Sequence, residues 1–128
     1  MTYRSSSVSN TDSSGVCTVT PPSGIANDDF LIDFSISDDS ANTLTHPSGF
    51  TNITGSPVST TIHAQRVFVG VKKAASESGN YVLTTGASAE HMGGVIAFQN
   101  VDTSGGAVPH RSSVNSSNVG NTTPWDIN

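Results

Sequence analysis

Charged residues are scarce in this sequence, and the few cations are scattered. Only 12% of the 128 residues are charged and 34% are hydrophobic, whereas typical globular domains have about 25% and about 45–50%. Lysine and arginine together number five, and the net charge is −5. Nucleic-acid binders and proteins that bind anionic lipid need a basic face. The sequence therefore predicts neither a nucleic-acid partner nor a membrane surface partner.

Long apolar runs and paired cysteines are also missing. No run approaches the roughly 20 apolar residues that a membrane-spanning helix needs. The first residues, Met1 to Ser7, lack the apolar region of a secretory signal, so we expect the protein to stay where it is made or to leave within a particle. Cys17 is the only cysteine, which excludes an internal disulfide. It lies in an alternating segment, Val16 to Thr20, and is predicted to be a small packing residue.

Small, hydroxylic and turn-forming residues make up the rest of the chain. The sequence contains 21 Ser, 15 Thr, 10 Asn, 12 Gly and 6 Pro. Apolar residues alternate with a period of two, which is typical of strands, and no segment has a helical period. The predicted strands are residues 3–9, 16–20, 28–37, 43–45, 50–54, 61–72, 81–85 and 92–101. Many short strands separated by turns indicate an all-β antiparallel β-sandwich, either jelly-roll-like or an immunoglobulin-like Greek key.

The predicted domain organisation is a single β-sandwich over residues 1–128. Residues 1–10 form either an edge strand or an N-terminal arm, and residues 103–128 are a loop-rich C-terminal segment. The clearest strand is residues 28–37, where Phe30, Ile32, Phe34 and Ile36 share one face and Leu31 lies on the other. We expect that first face to line the core. Gly93 and Gly94 predict a bend or the close approach of another backbone.

One segment of ten residues is echoed further along the chain. Thr18 to Asn27 (TVTPPSGIAN) aligns with Thr43 to Asn52 (TLTHPSGFTN), and six positions are identical. In each copy a proline presets φ and a glycine supplies a positive φ. The repeated segment predicts that a strand followed by the same type of turn occurs twice in the fold.

The sequence offers only weak candidates for chemistry. Acidic residues gather at Asp28, Asp29, Asp38 and Asp39, with Asp33 between them, and loops of this kind sometimes bind calcium. No calcium-binding loop spacing is present, so solvated or turn-capping roles are the alternative. The four histidines lack zinc spacing, and no nucleophile-elbow motif occurs. We therefore predict no catalytic residue, no cofactor and a protein that is not an enzyme.

The order of several short motifs resembles a β-sandwich domain of tailed-phage virion structural proteins. These motifs are a Ser-rich opening strand (Tyr3 to Ser7), a TVT-P-SG segment (Thr18 to Leu31), a T-x-P-SG-F-T turn (Thr45 to Thr51), a V-x-x-K-x-A strand end (Val69 to Ala74), a Y-x-hydrophobic-T-T strand (Tyr81 to Thr85) and a final segment from Ile96 to Ser104. Two departures stand out. Asp28-Asp29 replaces the family's Gly-Asp, and the chain stops at Asn128 where the family continues with more strand. Truncation and completion of the last strand by a neighbour both remain open.

The resemblance implies a structural role on the exterior of a bacteriophage particle. The first expectation is a capsid decoration or cement protein that bridges shell subunits, as a homo-oligomer or bound to the shell lattice, with capsid or tail proteins as partners. Tyr3, Arg4 and Trp125 are the predicted interface residues. The alternative is a carbohydrate-binding module of a tail fibre that recognises a host glycan, with amides supplied by Asn42, Asn52, Asn80 and Asn100.

Overall fold

Nine strands and no helix make up the described part of the chain. A computed structural model describes residues 1–10, 15–39, 41–53, 55–59, 65–86 and 90–103. The strands are β1 (Thr2–Asn10), β2 (Val16–Val19), β3 (Phe30–Ser37), β4 (Leu44–Thr45), β5 (Thr51–Asn52), β6 (Val58–Ser59), β7 (Arg66–Lys73), β8 (Tyr81–Thr85) and β9 (His91–Gln99). The described residues contain no helix that is long and apolar enough to cross a membrane.

The strands form two antiparallel sheets. The larger sheet has the order β1-β9-β3-β7, and both β5 and β6 pair with the remaining edge of β7. The smaller sheet has the order β2-β8-β4. Strand β1 pairs along its whole length with β9, so residues 2–10 form an edge strand rather than a free arm. The prediction of an all-β antiparallel sandwich is confirmed.

Consecutive strands alternate between the two sheets at the start of the chain. Strands β1 and β3 belong to the larger sheet, and β2 and β4 belong to the smaller one. The echoed segments are the connections that return the chain from the smaller sheet to the larger one, after β2 and after β4. Gly24 and Gly49 occupy equivalent turns with φ of 71° and 85°, which confirms the positive φ predicted for both glycines. The chain thus uses the same type of turn for both connections from the smaller sheet to the larger one.

The apolar core lies between the sheets. Strands β2 and β8 contribute Cys17, Val19, Tyr81 and Leu83, which pack against residues of the larger sheet and its loops: Leu31, Phe50, Ala74, Val95 and Ala97. Cys17 is 1% exposed and its Sγ donates to the Ser9 carbonyl. Its role as a small packing residue is as predicted, and burial raises the pKa of its thiol.

The face of β3 that lines the core is opposite to the predicted one. Leu31 is fully buried in the core, and Asp33, Ser35 and Ser37 follow it on the same inner face. Ile32, Phe34 and Ile36 lie on the outer face of the larger sheet and are half-buried, whereas Phe30, at the start of the strand, is 5% exposed, so the predicted burial is confirmed for Phe30 alone. The apolar alternation located the strand correctly but assigned the wrong side to the interior, because the inner Asp33 is paired with His46, thirteen residues away, and Ser37 with Asn42 in the following loop.

The outer face of the larger sheet is apolar across its central strands. Opposite Ile32, Phe34 and Ile36 on β3 stand Val71, Val69 and Val67 on β7. On the other side of β3, strand β9 presents Met92, Ile96 and Phe98. The predicted close approach at the glycine pair of β9 is confirmed: a Cβ on Gly94 would lie 2.7 Å from the Phe34 ring and 2.8 Å from the Ser7 carbonyl oxygen.

Candidate functional site

The chemically richest place in the described residues is the polar half of the sandwich interior. Asp33, Ser35 and Ser37 project from β3 into the space between the sheets and are each 0% exposed. Asn42 donates to Ser37 Oγ over 3.0 Å, and the Arg66 guanidinium donates to the Asn42 carbonyl over 2.6 Å. The polar end of β3 is therefore bound to the loop that follows it and to β7.

Asp33 and His46 form the centre of this polar half. His46 follows β4, and its Nδ1 lies 2.5 Å from Asp33 Oδ2. Its Nε2 lies 2.5 Å from Oδ1 of Asn52 on β5. With an acceptor at each ring nitrogen, the arrangement favours the protonated imidazole, which donates from both nitrogens. The hydrogen bond to Asp33 raises the pKa of His46 and outweighs the opposing effect of burial, and the bond to Asn52 adds to the rise.

A glycine on the neighbouring strand leaves room for this pair. Gly70 of β7 stands directly opposite Asp33 of β3. A Cβ at that position would overlap Asp33 Oδ1 and would lie 2.8 Å from His46 Nδ1. Position 70 therefore requires glycine because the Asp33 carboxylate and the His46 imidazole occupy the space that a side chain would need. The backbone torsion at this position does not itself require glycine.

The arrangement of Asp33 and His46 has two of the three parts of a hydrolytic triad. In such triads the second ring nitrogen of the histidine takes a proton from a serine hydroxyl. Here that nitrogen faces the amide oxygen of Asn52, which has no proton to give. In this geometry the pair works as an ionic clamp that joins β3 to the connection between β4 and β5.

Two further polar atoms lie in the interior close to the clamp. Asp33 Oδ1 and Ser35 Oγ are both buried without a hydrogen-bond partner among the described residues. Buried polar groups of this kind are ordinarily satisfied by protein or by ordered water. The described residues contain no group of three or more His, Cys, Asp or Glu side chains that could hold a metal ion.

The structure separates the four acidic residues considered for calcium. Asp28 and Asp29 precede β3, whereas Asp38 and Asp39 follow it. An eight-residue strand spans about 26 Å, so the two pairs do not share one site. Asp28 pairs with Lys73 over 2.8 Å at the surface, and Asp39 Oδ1 accepts the backbone N–H of Ala41 over 2.8 Å.

Asp29 has a structural partner of its own. Its carboxylate is 4% exposed and accepts one hydrogen bond from Arg4 Nη2 over 3.1 Å, and Arg4 Nε lies 2.6 Å from Oδ2 as an ion-pair contact. It also accepts the backbone N–H of Ala26 over 2.8 Å. Both Asp29 oxygens are thus occupied, and β1 is tied to the turn before β3.

The predicted interface residues have different surroundings. Tyr3 is 57% exposed, its hydroxyl bonds Ser6 Oγ at 3.0 Å, and its ring meets Phe98 edge-on. Arg4 is engaged with Asp29 as described. Trp125 lies outside the described residues. Of the amides considered for glycan binding, Asn42 is 4% exposed, whereas Asn52, Asn80 and Asn100 are exposed; the amide oxygen of Asn52 is bound to His46.

A second buried ionic cluster was not found by sequence reasoning. Glu77, in the loop after β7, lies 2.9 Å from Lys72 Nζ and accepts the Tyr81 hydroxyl over 2.9 Å. Burial alone would raise the pKa of Glu77, but its bonds to Lys72, to the Ala75 N–H and to Tyr81 lower it overall. Burial and the neighbouring Glu77 raise the pKa of Tyr81 strongly. No sequence motif marks this cluster, because its members meet only when the loop folds back.

A scan against protein-family models, a search of curated proteins and a search of solved structures each found no match to this chain. The interpretation of its function therefore depends on the residues and their geometry.

Proposed function

We propose that this protein is a non-enzymatic structural protein of a bacteriophage particle, a decoration or cement protein that binds the outside of the capsid and bridges shell subunits. The ordered motifs between Tyr3 and Ser104 support this role through their resemblance to phage virion domains. The alternation of β1 to β4 between the sheets supports a jelly-roll wrap, an architecture used by viral capsid domains and lectins.

The observation that carries the proposal is the distribution of charged and apolar side chains. In the described residues, the buried acids are engaged within the protein: Asp29 with Arg4, Asp33 with His46 and Glu77 with Lys72. Apolar side chains instead cover the outer face of the larger sheet. A molecule with its ionic groups turned inward and an apolar face turned outward is suited to assembly.

The edge of the larger sheet offers a second means of attachment. Strand β1 is nine residues long, and among the described strands only β9 pairs with it. An unpaired edge accepts a strand from another protein by β-augmentation. Stable seams with shell subunits need about 1,000 Å² or more of buried surface, and a strand added to this edge contributes to that area.

The direct test is binding of the purified protein to assembled shells of the phage or prophage that encodes it. We expect saturable co-sedimentation with shells and none with unassembled coat protein. Binding that fails to saturate, or no binding to shells that lack this protein, would contradict the proposed role.

A carbohydrate-binding role in a tail fibre is the second candidate. The exposed ring of Tyr3 is the observation that favours it, since sugar-binding modules use exposed aromatic side chains. Affinity for host polysaccharide that is lost in Tyr3→Ala or Trp125→Ala, without saturable shell binding, would support this alternative over decoration.

A further inference from the structure

The outer face of the larger sheet is unusual for a sandwich of this composition. Antiparallel sheets commonly turn an apolar face to the core and a polar face to solvent. Here β3 does the reverse, with Asp33 and Ser35 inside and Ile32 and Phe34 outside. The smaller sheet packs on the inner face through Val19 and Leu83, so none of its strands covers the outer one.

The central rows of this outer face carry no charge. Across β9, β3 and β7 they read Met92–Ile36–Val67, Gly94–Phe34–Val69 and Ile96–Ile32–Val71. The Phe34 ring lies over Gly94, so it fills the gap that a missing side chain would leave. At one border, Met92 is 42% exposed and Val8 of β1 is 63% exposed; the central side chains are half-buried, and Val71 on β7 is 4% exposed within its own chain.

The size of the face matches what a specific interface needs. Four strands about 4.8 Å apart and about eight residues long at about 3.3 Å per residue cover about 500 Å². Two such faces bury about 1,000 Å² in total, which is the lower limit for a stable protein–protein contact.

We infer that the outer face of the β1-β9-β3-β7 sheet packs against the same face of a second copy of this chain, forming a two-fold symmetric dimer. A two-fold contact places one patch against itself, so an uncharged apolar patch is automatically complementary. The net charge of −5 would oppose self-association through an acidic surface. Lys73, at the corner of the face, is paired with Asp28 within its own chain, so no like charges meet in the central rows.

The proposed dimer contact has the geometry of two β-sheets packed face to face. Two antiparallel sheets stack about 10 Å apart with their strands about 30° from parallel, and their side chains interdigitate. Ile, Val and Phe on the facing sheets fill such a layer as they fill a sandwich core. The inference shares this apolar face with the proposed virion role but does not require that role, because a dimer formed through the face leaves the β1 edge of each copy available to the shell.

The test compares two lysine substitutions on the proposed interface with one on the opposite side of the molecule. Met92→Lys on β9 and Val69→Lys on β7 each place a charge in the contact. Val82→Lys is the matched control, because Val82 is 45% exposed, close to the 42% of Met92, and lies on the outer face of the smaller sheet. Sedimentation velocity over a range of concentrations gives the mass, and circular dichroism confirms that each variant is folded.

We expect the full chain to reach twice its 13.2 kDa mass. We expect Met92→Lys and Val69→Lys each to weaken the dimer at least about tenfold, since a charge buried without a partner opposes association. Val82→Lys should leave the dimer unchanged. A monomer at all concentrations would overturn the inference and point to another segment of the same chain as the cover. A dimer that survives both interface substitutions would also overturn it and would favour edge-to-edge pairing through β1.

Discussion

Asp33 and His46 are the two residues whose chemistry depends most on their surroundings. A carboxylate with no exposure and an imidazole that donates from both nitrogens stabilise each other only while both are charged. Removing either partner leaves the other charge buried, which typically costs about 3–5 kcal/mol. The pair therefore makes the stability of the fold depend on pH.

The first prediction concerns that pH dependence. The pKa of His46 is raised in the folded state, so its stabilising contribution is complete below the unfolded value of about 6.5. The contribution is lost as the pH rises through the raised folded pKa. We expect the free energy of unfolding, measured in urea, to fall as the pH rises through this window.

His46→Gln is the control for this prediction, because every other ionisable residue remains in the variant. The difference between the two proteins should shrink as the pH rises. A constant difference across the window would show that His46 does not titrate in the folded protein.

The second prediction concerns Gly70. We expect Gly70→Ala to destabilise the protein by about 2 kcal/mol, because the new methyl group overlaps Asp33 Oδ1 and overpacked sites of this kind cost about 1–3 kcal/mol. The measurement is urea unfolding in the wild-type and Asp33→Ala backgrounds. The penalty should be smaller when Asp33 is already shortened. Equal penalties in the two backgrounds would remove the steric explanation.

At the scale of elements, β1 is fixed in place by more than its pairing with β9. The ion pair between Arg4 and the buried Asp29 carboxylate links it to the turn before β3. A similar pair of opposite charges, Lys73 and Asp28, lies at the surface, with side chains 48% and 78% exposed. The contributions of a largely buried ion pair and an exposed ion pair to stability can therefore be compared within one protein.

The third prediction uses this comparison. Arg4→Ala leaves the Asp29 carboxylate buried without its cation, and we expect a loss of about 3 kcal/mol. Lys73→Ala breaks only an exposed ion pair, and we expect a loss below about 1 kcal/mol. Thermal and urea unfolding of both variants provide the measurement. Equal losses would mean that the Arg4 contact contributes no more than a surface pair.

The elements also show how far sequence reasoning reaches. A period of two located β3 and β8 closely, because alternation is a local property of the chain. The same rule placed Ile32 and Phe34 inside and was wrong, because Asp33 is buried by His46, thirteen residues away. The clamp could not be predicted, since the spacing of its residues has no period and only the crossing from β4 to β5 brings them together.

At the scale of the whole molecule, an apolar core and a polar cluster share the space between the sheets, and the outer face of the larger sheet is apolar. The buried ion pairs hold strands and connections together inside the sandwich. The apolar face and the edge of β1 are turned outward. The central claim of the proposed virion role is that this face and edge serve association with other proteins of the particle.

The most direct test of that claim is the number of copies of this chain in purified particles, measured by quantitative mass spectrometry against the major coat protein. The decoration role predicts a copy number that scales with the shell lattice. A low number that matches the rotational symmetry of the tail would favour a fibre role instead. Absence of the chain from the particles would contradict the virion role.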